Sequence, residues 1–243
     1  MSILNHAKLN IRSIIRRLLP AQPCVLCGSM SDDGLWCKAC DESLPYLRSD
    51  HCPVCALPTP SGQICGHCLN EPPLYTRTRA VFRYAFPLDK LIQGMKYGDQ
   101  LPLAHELAKR LALRVGNDIP PDCVIPMPLH PAKLRERGYN QSMLLAAAIS
   151  RQLDVELLSN AAKRTRNTPA QSTLPWKDRE KNVRDAFSCN TDLGGKHVAL
   201  VDDVLTTGAS MNALAKTIRK CGAAEISVWV VARTMRRQDT VTR

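Results

Sequence analysis

Hydrophobic positions follow two different periods along most of the chain after residue 76. Short, continuous apolar runs predict strands over 79–86, 123–125, 155–158, 197–201 and 226–232. Between them, apolar residues recur at helical spacing and predict helices over 88–95, 103–111, 143–153 and 209–221. Because strands that are apolar along their whole length are buried on both faces, this alternation predicts an α/β domain with a parallel sheet that helices cover on both faces. We expect Cys123 and Cys221 to be small core residues and Cys189 to lie in a loop.

The N-terminal segment 1–20 carries a different pattern. Its apolar side chains recur at helical spacing up to Pro20, and several basic side chains occupy much of the opposite face, which predicts an amphipathic helix over 1–20. Two interpretations stay open for this helix. It rests as a basic helix on an anionic membrane surface, or it packs its apolar stripe on the body of the protein, which we favour.

Neither a secretory signal nor a membrane-spanning segment is recognisable in the chain. The N-terminal segment has no unbroken apolar core and no small-residue cleavage site. No stretch approaches the about 20 apolar residues that a membrane-spanning helix needs. We therefore expect a cytoplasmic protein, peripheral at the inner face of the membrane if the first helix rests on lipid. In the cytosol, clustered cysteines bind metal more often than they form disulfides.

Eight of the eleven cysteines lie within 1–75 and form an internal repeat. A C-x2-C-x9-C-x2-C unit occurs twice, and the offset from Cys24 to Cys52 maps every cysteine of the first copy onto one of the second. The cysteines are Cys24, Cys27, Cys37 and Cys40 in the first copy and Cys52, Cys55, Cys65 and Cys68 in the second. Two knuckles joined by a short hairpin supply the four thiolates of a tetrahedral zinc site. We therefore predict two structural zinc ions, one per repeat, while cross-pairing between the repeats stays open.

Other chemistries suit these cysteines less well. A redox dithiol normally opens a helix after a strand, and the even two-knuckle repeat favours zinc over an iron–sulfur cluster. Four thiolates leave no open coordination position, so we expect a scaffold or docking surface rather than a catalytic metal. Pro72 and Pro73 predict a short stiff linker between a double zinc ribbon over 21–71 and a second domain over 76–243.

The run from Val198 to Ser210 combines carboxylates with a phosphate-binding turn. An apolar strand delivers Asp202 and Asp203 at its carboxyl end, where ligands of parallel sheets bind. The turn that follows opens a helix and consists of Thr206, Thr207, Gly208, Ala209 and Ser210. Its backbone amides, its hydroxyls and the positive end of the helix dipole suit a phosphate. The carboxylates suit a neutral diol or a magnesium ion, so the run predicts a sugar-phosphate site. A purely structural role, with Thr206 as a helix cap, leaves the paired acids unexplained.

The segment VALVDDVLTTGAS resembles the phosphoribosyl-pyrophosphate motif of type I phosphoribosyltransferases. Together with the cysteine repeats and other segments, it makes the chain similar to the ComF family from about Cys24 to Arg233. These segments are 126–130 (PMPLH), 137–141 (RGYNQ) and the set Arg164, Arg166, Gln171, Arg179, Asn182 and Phe187. The resemblance implies an α/β core of the type I phosphoribosyltransferase kind, preceded by a small double zinc-ribbon domain.

The resemblance also implies roles for individual residues. In that family the acidic pair holds the ribose hydroxyls, the turn holds the 5-phosphate, and Mg²⁺ accompanies the pyrophosphate. The pyrophosphate lies against the loop after an early strand, which here is Pro128, Leu129 and His130. A mobile basic loop closes over the substrate, and 163–184 is our candidate. The basic side chains that we assign to this loop or to nucleic acid are Arg135, Arg137, Lys163, Arg164, Arg166, Arg179 and Arg184.

The net positive charge comes entirely from residues after 75. Residues 1–75 hold six basic and six acidic side chains, whereas 131–184 alone hold eleven basic and five acidic ones. This surplus exceeds what one sugar pyrophosphate requires. The resemblance implies single-stranded DNA and proteins of the DNA-uptake machinery as partners, and ordinary solvated basic side chains are the alternative explanation.

Two functions therefore stay open. We favour a protein that binds phosphoribosyl pyrophosphate or a related sugar phosphate and assists the uptake or utilisation of single-stranded DNA in natural transformation. The alternative is an active, Mg²⁺-dependent phosphoribosyltransferase of nucleotide metabolism or salvage. Fold does not decide between them, and no segment carries a distinctive signature of a hood that recognises a base.

Overall fold

The computed structural model describes residues 22–31, 34–98, 100–167, 183 and 185–235. Two compact units make up the chain, with the boundary between Ser43 and Leu44, so the two cysteine repeats fall into different units. The helix predicted over 1–20 lies outside the described residues, as does most of the predicted basic loop. No described helix has the length and apolar character required to cross a membrane.

The described part of the first unit is a small ribbon. Strands β1 (Gln22–Pro23) and β2 (Met30–Ser31) pair antiparallel, and the short helix α1 (Lys38–Glu42) follows. Gly28 ends the first knuckle with a φ of 75°, in the left-handed region that favours glycine. Trp36 is buried, and its Nε1 donates to Asp41 Oδ1 at 2.8 Å.

The second unit contains the remaining described elements. In chain order they are a 3-10 turn (Pro60–Gly62), α2 (Gly66–Asn70), β3 (Arg77–Arg83), α3 (Leu88–Tyr97), α4 (Leu101–Val115), β4 (Cys123–Pro126), α5 (Pro131–Arg137), α6 (Gln141–Leu153), β5 (Glu156–Leu157), β6 (Ala162–Arg164), β7 (Phe187–Cys189), β8 (His197–Leu205), α7 (Ala209–Lys220) and β9 (Glu225–Arg233). Five of the strands form one sheet in the order β3-β9-β8-β4-β5, and every neighbouring pair is parallel. The predicted parallel sheet is confirmed.

Helices cover both faces of this sheet. Apolar side chains of α7 pack in one buried cluster with Ile125, Leu200 and Val228 of the central strands. Because successive strand residues point to opposite faces, the buried neighbours Ala199 and Trp229 face the other way, and α4 and α6 lie against the same strands. The carboxyl ends of β4 and β8 therefore open between helices, which is where a parallel sheet forms a ligand crevice.

Three predicted boundaries are corrected. Strand β8 continues through Asp202 and Asp203 to Leu205, because Asp202, Val204 and Leu205 keep pairing with β9 up to Arg233. Cys189 lies in β7 rather than in a loop, since 187–189 pair antiparallel with β6. Strand β3 ends at Arg83, and the exposed side chain of Phe86 lies in the turn before α3.

Candidate functional site

Each cysteine repeat forms one complete cluster. Within each set of four, the sulfur atoms all lie within 4.8 Å of one another. Cys27 Sγ lies 3.8 Å from Cys37 Sγ, and Cys55 Sγ lies 3.6 Å from Cys65 Sγ. A zinc ion about 2.3 Å from each of four sulfurs would hold them about 3.8 Å apart, so both clusters fit tetrahedral zinc. Cross-pairing between the repeats does not occur in this arrangement.

Hydrogen bonds from the backbone lower the pKa of Cys24 in the first cluster. Burial raises the pKa of Cys24, but hydrogen bonds from the backbone of Cys37, Leu26 and Cys27 outweigh it and lower the pKa to about 6. Amides that point at a sulfur favour the thiolate, which is the form that binds zinc. The knuckle that ends at Gly28 therefore aims the backbone amides of Leu26 and Cys27 at a ligand atom.

A cavity of about 200 Å³ lies at the carboxyl ends of β4 and β8. Its lining includes nine of the predicted residues: Asp202, Asp203, Thr206, Gly208, Ser210, Pro128, Leu129, Arg137 and Arg164. Four different segments of the second unit contribute them, namely 128–137, β6, β8 and the turn before α7. The structure therefore brings the acidic pair, the phosphate turn and basic side chains to one cavity.

The acidic pair is held in place by hydrogen bonds. Asp202 Oδ1 accepts from Ser142 Oγ at 2.7 Å and from the amide of Asp203 at 2.9 Å. Asp203 Oδ1 accepts from the amide of Val204 at 2.8 Å. Ser142 stands in the first turn of α6, where its amide donates to the N-cap side chain of Asn140. The start of α6 thus orients one carboxylate of the site.

A lysine faces the acidic pair. Lys96 Nζ of α3 lies 2.5 Å from Asp203 Oδ2. Burial alone would lower the pKa of Lys96, but the charges of Asp203 and Asp202 outweigh it and raise this pKa. Burial and the charge of Asp203 raise the pKa of Asp202 to about 7, against the hydrogen bond from Ser142. The site therefore carries a carboxyl group that can change protonation near neutral pH.

The residues of the turn before α7 divide between two cavities. Gly208 has a φ of 88°, and a Cβ at this position would lie 3.1 Å from Tyr75 Oη, so only glycine fits without strain. Thr207 Oγ1 accepts from the amide of Ala209 at 3.1 Å and so caps one donor of the helix start. Thr207 and Ala209 line a second cavity of about 310 Å³ rather than the first. The remaining members of the turn face the acidic pair's cavity.

Four basic side chains line the first cavity: Lys96, Lys133, Arg137 and Arg164. Arg137 donates to Gln141 Oε1 at 2.7 Å and lies over the ring of Tyr97 at 5.0 Å. Arg164 lies over the ring of Phe187, and burial lowers its pKa while the charge of Asp202 opposes this. These cations make the cavity chemically suitable for an anion.

The structure places the other predicted residues elsewhere. His130 is the N-cap of α5, and its Nδ1 accepts from the amide of Ala132 at 3.2 Å. His130, Arg135 and Lys163 are described, and none of the three lines the cavity. Arg166 is exposed on the segment after β6. Arg179 and Arg184 lie outside the described residues.

Sequence reasoning missed Lys96, Lys133 and Ser142. A signal for Lys96 existed, because it follows Leu88 and Ile92 at four-residue steps and so stands on the apolar stripe of α3. A lysine in that position is buried and needs a partner charge. For Lys133 and Ser142 the local pattern holds no such signal, since Lys133 reaches the cavity through the tertiary position of α5 and Ser142 through the packing of α6 against β8.

Comparison with known proteins matches both parts of the chain. Residues 14–69 match the double zinc ribbon domain family, and residues 140–242 match the phosphoribosyl transferase domain family. The DNA utilization protein YhgH of Escherichia coli (strain K12) is 35% identical over 224 residues, which cover 87% of this chain and 97% of that protein. Competence protein F of Haemophilus influenzae is 39% identical over 180 residues, which cover 70% of this chain and 79% of that protein. Among solved structures, a purine phosphoribosyltransferase from Pyrococcus horikoshii is similar over 53% of this chain and 70% of its own, with 20% identity and a TM-score of 0.34.

Proposed function

The chain belongs to the ComF family of competence and DNA-utilization proteins, and on this premise we propose that it binds phosphoribosyl pyrophosphate or a related sugar phosphate and assists the uptake or utilisation of single-stranded DNA. One observation carries the proposal. Asp202 and Asp203 share a cavity with Gly208 and Ser210 of the phosphate turn and with four basic side chains. The paired carboxylates suit the diol of a ribose phosphate, and the turn beside them suits its phosphate. The cavity therefore offers matching groups to both parts of such a ligand.

Each part of the ligand has a matching group in this arrangement. The ribose hydroxyls donate to the carboxylates of Asp202 and Asp203, and the 5-phosphate accepts from the turn at Gly208 and Ser210. Lys133 and Arg137 lie on α5 next to the loop that is expected to receive pyrophosphate. Carboxylates are suitable ligands for Mg²⁺, and the ion would neutralise charge on the pyrophosphate when both are bound. Lys96 shares Asp203 with the incoming ligand and limits repulsion between the acids and the phosphates.

Binding of phosphoribosyl pyrophosphate tests this assignment. Titration calorimetry with the zinc-loaded protein, with and without Mg²⁺, should show one site per chain. The double variant Asp202→Asn with Asp203→Asn should weaken binding about 100-fold, because the ribose hydroxyls then donate to neutral amide oxygens instead of charged carboxylates. Asp192→Asn is the matched control, since this exposed carboxylate accepts from the amide of Gly194 and does not line the cavity. No binding by the wild type, or equal binding by the double variant, would contradict the proposal.

The DNA partner needs a separate test. Non-specific binding of single strands depends on salt, and each phosphate contact contributes about 0.7 to the slope of log K against log salt concentration. Replacing Arg137 and Arg164 with Ala should lower that slope if the strand crosses the mouth of the cavity. Lys220→Ala, in the last turn of α7, serves as the control. An unchanged slope in the double variant would locate the strand elsewhere on the protein.

A second candidate function is an active, Mg²⁺-dependent phosphoribosyltransferase of nucleotide metabolism or salvage. The raised pKa of Asp202, about 7, favours it, because a carboxyl that titrates near neutral pH can accept or return a proton during transfer. Pyrophosphate release from phosphoribosyl pyrophosphate, measured over a panel of bases and nucleosides, tests it. Release that depends on one acceptor and is lost in Asp202→Asn supports an enzyme, and binding without release across the panel speaks against one.

A further inference from the structure

A single buried guanidinium connects the second cysteine cluster to the phosphate turn. Arg233, the last residue of β9, is 3% exposed. Its Nε donates to the carbonyl oxygen of Cys55 at 2.7 Å, and its Nη1 donates to the carbonyl oxygens of Leu205 at 2.8 Å and of Thr206. One side chain therefore contacts the backbone of a predicted zinc ligand and the residues at which the phosphate turn begins.

These contacts orient the amides of the turn. Each peptide unit is planar and trans, so its N–H points away from its C=O. The carbonyl of Leu205 and the amide of Thr206 share one unit, and the carbonyl of Thr206 and the amide of Thr207 share the next. Because Arg233 holds both carbonyls, both amides are directed away from the guanidinium. A guanidinium is a rigid planar fork, so a shift of one acceptor is passed to the others.

The other end of this connection depends on the second cluster. Cys55 lies in a knuckle that is closed by hydrogen bonds between the backbones of Cys52 and Leu57 and of Ala56 and Cys52. Thr78 of β3 fastens the knuckle to the sheet, since its amide donates to Pro53 O and its hydroxyl donates to Val54 O at 2.6 Å. Four thiolates on one zinc ion would complete the knuckle and hold the Cys55 carbonyl in place.

We propose that Arg233 is a positioning residue that couples zinc at the second cluster to anion binding at the phosphate turn. Loss of this zinc loosens the Thr206 and Thr207 peptides and weakens sugar-phosphate binding. Loss of zinc from the first cluster leaves binding unchanged. The identity of the anion rests on the proposed function, whereas the coupling between the cluster and the turn does not. Because coupling is reciprocal, a bound sugar phosphate also raises the zinc affinity of the second cluster by the same factor.

A matched pair of variants tests the coupling. Cys37 and Cys65 are the third ligands of their repeats, so they occupy equivalent positions, and both are half-buried. Cys37→Ser and Cys65→Ser should each remove one zinc per chain. Only Cys65→Ser should raise the Kd for phosphoribosyl pyrophosphate, by about tenfold, which lies within the usual range of coupling between two sites. Arg233→Lys keeps the charge but not the fork, so at saturating zinc it should retain two ions and show the same loss of affinity. Equal affinities in Cys37→Ser and Cys65→Ser would overturn the coupling.

Hydrogen exchange tests the same coupling without a sugar phosphate. Exchange in the segment 205–210 should be about tenfold faster in Cys65→Ser and in Arg233→Lys than in the wild type and Cys37→Ser, beyond any change in β4, which reports unfolding of the whole second unit. Equal exchange of this segment in all four proteins overturns the coupling even if phosphoribosyl pyrophosphate binds. Failure of the wild type to bind that ligand instead overturns the proposed function, and the exchange result still decides the coupling. If Cys65→Ser does not fold, Arg233→Lys decides it alone.

Discussion

The two cysteine repeats share their spacing but not their surroundings. In the first repeat Cys27 is exposed, and the compact unit around it ends at Ser43. In the second repeat Cys52, Cys55 and Cys68 are buried, and Leu57 joins them in one apolar cluster. The ligand geometry is nearly the same in both, with 3.8 Å and 3.6 Å between equivalent pairs of sulfurs. The spacing of a short repeat thus determines the metal site itself, while the residues that flank the second repeat make its site part of a buried apolar cluster.

The residue after the second cysteine differs between the two repeats. Gly28 and Ala56 follow the second cysteine of each repeat, and both have a positive φ, 75° and 57°. Glycine carries no strain there, whereas alanine does. Ala56 is fully buried and belongs to the core cluster of the sheet. The second repeat therefore has a strained backbone at Ala56, where the methyl group contributes to the packing of the core.

Loss of one cysteine ligand should give the largest difference in stability between the two repeats. Cys65→Ser should lower the free energy of unfolding of the second unit by on the order of 5 kcal/mol, because the metal stabilises a knuckle that is bonded to β3 and Arg233. Cys37→Ser should melt the first ribbon and leave the main thermal transition in place. Differential scanning calorimetry of zinc-loaded proteins measures both. A main transition that falls by the same amount in both variants would make the two repeats equivalent after all.

The buried ion pair between Lys96 and Asp203 tests whether the second cluster and the cavity unfold together. Lys96→Met leaves Asp203 without its close cation and should cost about 3 kcal/mol. If the second cluster and the cavity belong to one cooperative unit, zinc release from that cluster should occur at a lower temperature in this variant, with the first cluster unchanged. Lys133→Met, which also lines the cavity, is the control. Unaltered release from the second cluster would mean that the two features unfold separately.

The same variant predicts a dependence on pH. The pKa of Asp202 is raised from 3.8 to about 7 in the folded state, so the folded protein holds a proton that the unfolded chain has lost across this window. The stabilisation from this proton is present below pH 4 and is lost as pH rises through 7. Without Lys96 the ionised pair is opposed by less positive charge, so the deficit of Lys96→Met in urea unfolding should be larger at pH 8 than at pH 6. A deficit that shrinks at pH 8 would contradict this account.

The anchor at β3 should have a smaller effect. Thr78→Val removes the buried hydroxyl that donates to Val54 O and leaves a half-buried carbonyl without this donor, at a cost of about 1–2 kcal/mol. Release of the second zinc to a chelator should become faster, and that of the first should not. Thr217→Val removes a comparable hydroxyl on α7, which donates to Ala213 O within the helix, and serves as the control. Equal release rates in the two threonine variants would show that Thr78 does not fasten the knuckle.

The two positive φ positions give the smallest expected difference. Gly28→Ala should destabilise the first ribbon by about 1 kcal/mol, since a Cβ in the left-handed region is strained. Ala56→Gly should be nearly neutral, because relief of that strain offsets the loss of a buried methyl group, worth about 0.8 kcal/mol. Zinc affinity by competition with a chelator measures both. A large loss in Ala56→Gly would show that packing alone governs this position.

Much of the fold followed from local patterns. Apolar runs identified the strands of the sheet, and helical spacing identified the longer helices, because each pattern reports which face of an element is buried. The ends were less accurate, as β8 shows. Strand β8 runs on through two aspartates and keeps pairing with β9 beyond them. Aspartate is uncommon in strands, and only the cavity beside these two residues explains why they occur there.

The residues of the cavity also fall into a group that the sequence predicted and a group that it did not. Asp202, Asp203 and Gly208 were predicted because one strand and one turn deliver them together, so their spacing in the sequence carries the signal. Lys96 and Ser142 come from distant helices, and Thr207 and Ala209 turn toward the second cavity although they are adjacent to Gly208. Which side a residue of a turn faces depends on backbone angles that the residue types allow but do not dictate.

By itself, the sequence determined the two zinc clusters and the acidic pair with its turn, since each is built within one short segment and its chemistry depends on short spacings. Only the tertiary structure decided that the second cluster meets the phosphate turn. The contact joins Arg233 to Cys55, which are 178 residues apart, and an arginine at the end of a buried strand looks the same in sequence whether it faces solvent, a carboxylate or a backbone carbonyl. Its partners are set by how strands β8 and β9 align and by where the knuckle packs against them, and no local pattern records either.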